Sequence, residues 1–180
     1  SYKEEPNSAY GASKLAVTEL LRTLLRSNGF PSVILRPTIA YGPGQDDSMF
    51  LPALIIALVA GRNFNMSLGE QTRDFIYIDD LVKAIIQALI IPDFCGDVVN
   101  ISSARPIRID ALAKMTANML GNGAGKRLKF GSKNYRPGDV MQYWASNELA
   151  KHKLGWSPMV SLEEGVQQTV DYYKALASEH

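Results

Sequence analysis

Residues 8–37 read SAYGASKLAVTELLRTLLRSNGFPSVILRP, and this stretch decides the fold. Residues 8–28 are predicted to form a helix, because leucine and valine recur at helical spacing and Gly29 stands where a helix commonly ends. A short apolar run follows at residues 32–36, between two prolines, and is typical of a buried strand. The sequence therefore predicts a helix that leads into a strand, as in α/β proteins with a parallel sheet.

The rest of the chain continues this alternation. Further helices are predicted over residues 50–61, 79–91, 110–120 and 146–154, and from residue 161 onward. Residues 98–102 are predicted to form the second central strand. Acidic residues stand at two helix starts: we interpret Asp79 or Asp80, and Asp110, as N-caps rather than catalytic carboxylates. Ser161 and Glu164 have the spacing of a capping box.

The composition is that of an average globular protein. The 180 residues are 46% hydrophobic and 21% charged with net charge +1, which argues against disorder and against binding to nucleic acid or a membrane. The longest apolar stretch, residues 51–60, is too short to span a bilayer. Cys95 is the single cysteine, so we expect a reducing cytoplasmic location. His152 and His180 lack neighbours at metal-ligand spacing, so no metal is predicted.

Tyr10 and Lys14 are the first candidates for chemistry. They are four residues apart, so on a helix they share one face about one turn apart. A fixed ammonium group favours the ionised form of a nearby phenol, and a cationic nicotinamide ring would favour it further. Such a pair suits proton transfer to or from a hydroxyl being oxidised or a carbonyl being reduced. The spacing alone is a weak signal, because the chain contains eight tyrosines.

Six segments add specificity because they follow one another in the order known from one family. They are YGASK (10–14), LRPTIAYGPG (35–44), GEQTRDFIYIDD (69–80), VNI (99–101), RPGD (136–139) and LGWSP (154–158). Together they extend over nearly the whole chain. The sequence resembles the NAD(P)-dependent nucleotide-sugar epimerase/dehydratase family, which belongs to the extended short-chain dehydrogenases/reductases.

The resemblance implies roles in catalysis and cofactor binding. Tyr10 would be the acid/base that acts on a sugar hydroxyl. Lys14 would hold the ribose hydroxyls of the nicotinamide nucleoside and tune Tyr10. The backbone of Pro37, Thr38 and Ile39 would border the nicotinamide of NAD or NADP.

The resemblance also implies a substrate and leaves alternatives open. Arg73 and Arg136 would grip the diphosphate of a nucleotide sugar, since guanidinium forks bind phosphate oxygens bidentately. The family commonly has a substrate-binding asparagine where this chain has Ile39, which offers no hydrogen bond. An extended short-chain reductase of a sugar or other small carbonyl compound therefore stays open. A non-enzymatic cofactor sensor is the third alternative, and the presence of both Tyr10 and Lys14 disfavours it.

The fold class implied is α/β, namely the C-terminal part of a Rossmann-like doubly wound parallel sheet with a small mixed α/β substrate-binding domain. Residues 1–45 would form the back part of the NAD(P)-binding domain, and residues 46–180 mainly the substrate-binding domain, with strand 98–102 returning to the Rossmann sheet. We expect a fragment of a larger enzyme, inactive alone, whose GxxGxxG loop would lie upstream and whose first helix would form a homodimer. In such a fragment, we expect strands 33–36 and 98–102 to expose apolar surface.

Overall fold

A computed structural model describes residues 5–6, 8–91 and 96–178 of the protein. Its helices are α1 (Ala9–Asn28), α2 (Phe50–Val59), α3 (Ile78–Ile90), α4 (Ile109–Leu120), α5 (Glu148–Leu154) and α6 (Leu162–Ser178), with a 3-10 turn at Ala124–Arg127. The strands are β1 (Ile34–Pro37), β2 (Ile39–Tyr41), β3 (Phe64–Asn65), β4 (Thr72–Arg73), β5 (Phe75–Tyr77), β6 (Val98–Ile101), β7 (Ile107–Arg108), β8 (Leu128–Lys129) and β9 (Gln142–Tyr143). Helices and strands alternate along the chain, as predicted for the α/β class.

Short, mostly parallel strand pairs form the frame. β1 pairs with β6, β2 with β5, and β3 with β8, each in parallel, while β4 lies between antiparallel β7 and parallel β9. The chain changes sheets at Thr38, whose N–H donates to the carbonyl of Ile101 over 3.0 Å. The next N–H, of Ile39, donates to the carbonyl of Asp74 over 3.0 Å. One continuous segment from β1 to β2 therefore joins two sheets.

Helix α1 begins and ends where the sequence predicted. The Ser8 hydroxyl accepts a hydrogen bond from the Gly11 N–H over 3.1 Å, and Gly29 ends the helix at a φ of 64°, which glycine adopts at little cost. Arg36 on β1 donates through Nη2 to the Thr18 hydroxyl over 3.1 Å. This bond connects α1 to β1 and explains why a threonine is the buried residue of the helix.

Val98 at the start of β6 is partly buried and the other two apolar residues are fully buried, so the expectation that strand 98–102 exposes its apolar surface is wrong for most of the strand. Val99 and Ile101 have no exposed surface, because side chains of α3 and α5 pack over them. Strand β1 is partly buried along most of its length. Two helices expose apolar side chains, at Val17 and Leu20 of α1 and at Val82, Ile85, Ile86 and Leu89 of α3.

The aspartates at the start of α3 do not cap the helix, which corrects the prediction. The N-cap position is Tyr77, with no side-chain hydrogen bond, and Asp79 is exposed. Asp80 is fully buried, and its Oδ2 accepts the N–H groups of Met159 and Val160, each over 2.9 Å. This carboxylate therefore connects α3 to the segment that precedes α6.

The predicted cap of α4 is also wrong, whereas that of α6 is confirmed. Arg108 is the N-cap of α4, and Asp110 in the first turn accepts from Arg108 Nε and Lys114 Nζ, both over 2.9 Å. The hydrogen bond from Arg108 is the main reason that the pKa of Asp110 lies below its ordinary value. At α6, the Glu164 N–H donates to the Ser161 hydroxyl and Glu164 Oε2 accepts the Ser161 N–H, at 3.2 and 3.0 Å.

The larger core contains side chains from α2, α4, α6, β2 and β5. Tyr41 packs edge-on against Phe75 and Tyr77, with ring centroids 6.0 and 5.6 Å away. Its hydroxyl donates to the carbonyl of Leu162 over 3.4 Å. Burial raises the pKa of Tyr41 far above its ordinary value, so this phenol remains protonated.

Gly165 of α6 touches this ring cluster and offers a test of the packing. A Cβ at this position would overlap the Tyr41 hydroxyl and lie 2.8 Å from Tyr77 Cδ2. Because both rings are buried, we expect Gly165→Ala to lower the free energy of unfolding by about 2 kcal/mol, measured by urea denaturation. Gly125→Ala is the matched control, since its Cβ would meet nothing within 4 Å. Equal losses in the two variants would contradict this packing.

Candidate active site

An open cleft of about 480 Å³ extends between α2, the strands β2 to β5 and the loop of residues 131–139. Ile39 and Phe75, which face each other in the register of β2 and β5, contribute to its apolar lining. Phe50 and Phe64 contribute too, with their rings edge to face at 5.8 Å. Its charged lining residues are Arg73, Lys133, Arg136 and Asp139. The volume and the mixture of apolar and convergent charged groups are typical of small-molecule sites.

Arg73 lies in β4 with only 15% of its side chain exposed. Its Nη1 donates to the carbonyls of Thr72 and Val140, over 2.8 and 2.6 Å. Its Nη2 donates to Asp139 Oδ1 over 2.5 Å, which completes an ion pair. The guanidinium therefore holds the end of the 131–139 loop against the sheet.

Arg136 lies in the same loop, and its side chain is exposed. The Asp139 N–H donates to the Arg136 carbonyl over 3.0 Å, so the two residues are joined by a turn. No residue of the described part of the chain forms an ion pair with Arg136. The structure thus brings both arginines that the sequence singled out to one cleft.

Tyr10 and Lys14 lie on the same side of α1. Lys14 Nζ is 5.3 Å from the centroid of the Tyr10 ring, and the phenol is 73% exposed. A ligand can therefore reach both groups. Neither side chain lines the cleft, because α1 packs on β1 whereas β2 to β5 and their loops form the cleft.

The segment Pro37–Ile39 connects the two regions. Pro37 is exposed, Thr38 is buried and Ile39 lines the cleft. The Thr38 hydroxyl is 3.4 Å from Oδ1 of Asp74, which also accepts the N–H and hydroxyl of Ser103, at 3.0 and 2.6 Å. This fully buried carboxylate therefore connects the Thr38 side chain to Ser103. Sequence reasoning did not identify that role, because the partners of Asp74 are 29 and 36 positions away.

The sequence analysis did not identify several polar residues that line the cleft, namely Gln71, Lys133 and Tyr135. Gln71 stands inside a recognised segment, and its buried Oε1 has no hydrogen-bond donor among the described residues. Tyr135 donates its hydroxyl to Glu70 Oε2 over 3.2 Å. Lys133 belongs to no recognised motif, and its one sequence signal is its place three residues before Arg136.

The described ranges contain neither a cluster of metal ligands nor a helix that could span a membrane. No group of three or more histidine, cysteine, aspartate or glutamate side chains in the described ranges could hold a metal ion. Within those same ranges, no helix combines the length and apolarity needed to cross a bilayer. Cys95 and His180 lie outside the described residues.

The model of the NAD dependent epimerase/dehydratase family matches residues 1–102, which is more than half of the chain. The chain belongs to this family. The resemblance inferred from the sequence motifs is therefore confirmed. The match includes Tyr10, Lys14, Arg73 and the segment Pro37–Ile39.

Members of the NAD dependent epimerase/dehydratase family are similar to almost the whole chain. An uncharacterized UDP-glucose epimerase of Bacillus subtilis (strain 168) is 33% identical over 172 residues, which are 95% of this chain and 53% of the relative. UDP-glucose 4-epimerase from Thermotoga maritima, solved with UDP-glucose, superposes with a TM-score of 0.88 at 31% identity, over 96% of this chain and 55% of that one. UDP-glucuronic acid 4-epimerase from Bacillus cereus, in complex with UDP-glucuronic acid and NAD, also gives 0.88, at 33% identity over 96% and 54%. These structures confirm the predicted fold class, and the chain spans about half the length of these relatives.

Proposed function

We propose that the full-length protein is an NAD(P)-dependent epimerase or dehydratase that acts on a nucleotide sugar. The observation that carries this proposal is the accessible Tyr10–Lys14 pair, with the ammonium 5.3 Å from the ring centroid, in a chain of this family. The cleft supports it, because it offers an apolar lining together with Arg73 and Arg136. Similar proteins have been solved with UDP-glucose, and with UDP-glucuronic acid and NAD.

The residues present fit a nicotinamide cofactor, which would accept and return a hydride when bound. Lys14 is exposed and carries three donor hydrogens, which suits the hydroxyls of a ribose. The backbone of Pro37–Ile39, whose Thr38 and Ile39 N–H groups donate to the carbonyls of Ile101 and Asp74, would border the nicotinamide. Tyr10 would take a proton from a sugar hydroxyl at its phenolic oxygen and later return it.

We also propose that the protein is a cytoplasmic homodimer. Val17 and Leu20 are exposed on α1 although they are apolar, so a second copy of α1 would remove them from water. The domain division stays part of this proposal, with residues 1–45 in the NAD(P)-binding domain and residues 46–180 mainly in the substrate-binding domain. The parallel pairing of β6 with β1 supports the return of strand 98–102 to the first domain.

A second candidate is a reductase of a small carbonyl compound that is not a nucleotide sugar. The observation that favours it is Ile39, which lines the cleft with a side chain that cannot hydrogen-bond. A smaller substrate would not need the two arginines. The two candidates therefore differ in their dependence on the charges of the cleft.

The test supplies the full-length protein with NAD or NADP and a panel of nucleoside diphosphate sugars, with chromatographic detection of epimers and keto sugars. We expect turnover of a nucleotide sugar, with KM raised by about 10- to 100-fold in Arg136→Gln, since a charge-assisted hydrogen bond contributes about 1.5–3 kcal/mol. Arg62→Gln is the control, because Arg62 is exposed and does not line the cleft. Reduction of small carbonyl compounds with no effect of Arg136→Gln would favour the second candidate.

A further inference from the structure

The chain contains two Asn–Gly pairs, Asn28–Gly29 at the end of α1 and Asn122–Gly123 just after α4. An asparagine followed by glycine is prone to cyclise, because a glycine without a side chain lets its backbone nitrogen approach the carbon of the asparagine amide. The two pairs have the same residue types. A difference between them in the folded protein therefore comes from their surroundings.

The pair Asn28–Gly29 belongs to a hydrogen-bonded helix end. The Gly29 N–H donates to the carbonyl of Leu25 over 3.0 Å, and the next N–H, of Phe30, donates to that of Leu24 over 3.3 Å. Asn28 is itself the last residue of α1. Cyclisation at this pair needs the helix end to open first, since the Gly29 nitrogen has to leave its bond to reach the Asn28 side chain.

The pair Asn122–Gly123 lies in an exposed turn between α4 and the 3-10 turn. Neither the Gly123 N–H nor the Asn122 side-chain amide bonds to another residue of the described ranges. A Cβ at Gly123 would meet nothing within 4 Å, so the turn has room to rotate. The Gly123 nitrogen is therefore available to the Asn122 side chain without the loss of a protein hydrogen bond.

Arg127 contacts the peptide group that joins Asn122 to Gly123. Its Nη1 donates to the Asn122 carbonyl over 3.3 Å. The attacking species in cyclisation is this peptide group after its nitrogen has lost a proton, and the negative charge is shared with the same carbonyl oxygen. A guanidinium bonded to that oxygen stabilises the anion, as a cation stabilises an ionised group beside it. Solvent screens this contact, so its effect on the rate is modest.

We propose that Asn122 is a site of spontaneous deamidation that Arg127 promotes, and that the fold protects Asn28. The Gly123 nitrogen loses its proton to solvent and bonds to Cγ of Asn122. The bond from Cγ to Nδ2 breaks, and the amide group takes up a proton from water and leaves as ammonia. A second water then opens the cyclic imide at either carbonyl, which gives aspartate or isoaspartate without any oxidation or reduction. This site is independent of the proposed function.

The experiment incubates the full-length protein in neutral buffer for days and maps its peptides by mass spectrometry, with enzymatic methylation of isoaspartate as a second readout. We expect Asn122 to deamidate at least about 10-fold faster than Asn28, because the Gly29 N–H has to break its helix bond first. In urea, which removes the fold, the two rates should agree within about 3-fold. Equal rates in the folded protein, or an intact Asn122, would overturn the proposal.

Arg127→Gln tests the promoting contact. We expect it to slow deamidation of Asn122 about 3-fold in the folded protein and to leave the rate in urea unchanged, since the contact exists only in the fold. Lys126→Gln is the matched control, because it removes the same charge from the neighbouring position and Lys126 is exposed, with no side-chain bond to Asn122. Equal rates in these two variants would overturn the role of Arg127.

Discussion

Replacement of Tyr10 by phenylalanine in the full-length protein should lower kcat by about 10²- to 10⁴-fold, the usual contribution of a general acid/base. The variant removes one oxygen from an exposed side chain, so the fold and the affinity for the nucleotide sugar should be nearly unchanged. A drop in kcat without a rise in KM shows that the lost interaction belongs to the chemical step. Steady-state kinetics with the best nucleotide sugar of the panel measures both.

Tyr172→Phe provides the matched control for this experiment. Tyr172 is an exposed tyrosine on α6 that does not line the cleft. We expect its kcat to equal that of the unchanged protein. If Tyr10→Phe also retained full turnover, the proposed acid/base would be wrong even though the family assignment would stand.

Replacement of the buried Asp80 is expected to lower stability strongly. Asp80→Ala should lower the free energy of unfolding by about 3 kcal/mol, because the N–H groups of Met159 and Val160 would lose their fully buried acceptor. The Trp156 indole N–H donates to the main-chain carbonyl of Asp80 over 2.9 Å. The backbone and the side chain of Asp80 therefore both bind the segment of residues 156–160. Urea denaturation followed by tryptophan fluorescence measures the loss.

The neighbouring residue offers a close comparison. Asp79 lies in the same helical turn but is exposed, so Asp79→Ala should change the free energy of unfolding by no more than about 0.5 kcal/mol. Asp80→Asn should lie between the two, since its amide oxygen can still accept a backbone N–H. Equal stability of the Asp79 and Asp80 variants would show that the buried contact contributes nothing.

Local signals were enough to predict many of the helix ends. The Ser8 cap reaches three residues to Gly11, and the capping box of α6 involves only Ser161 and Glu164. Gly29 likewise ends α1 through its own backbone conformation. These features depend on residues within a single turn, so the sequence contains all the information needed to predict them.

The short strands could not be predicted in the same way. β4, β7 and β9 have two residues each, and none has a periodic pattern of its own. These strands form because β4 pairs with β7 on one side and with β9 on the other. Their hydrogen bonds depend on partners that the fold brings together from distant parts of the chain.

The amino-acid sequence alone determined the family, the α/β class, and the shared helical face of Tyr10 and Lys14, because ordered motifs and helical spacing are properties of the chain itself. Only the tertiary structure decided which charged side chains of the cleft form an ion pair with another described residue. Arg73 is occupied by a carboxylate 66 positions away, and Lys133 enters the cleft because its backbone bonds to Met66. An ion pair neutralises a side chain only when folding brings the partner within contact distance, and no spacing along the sequence shows that.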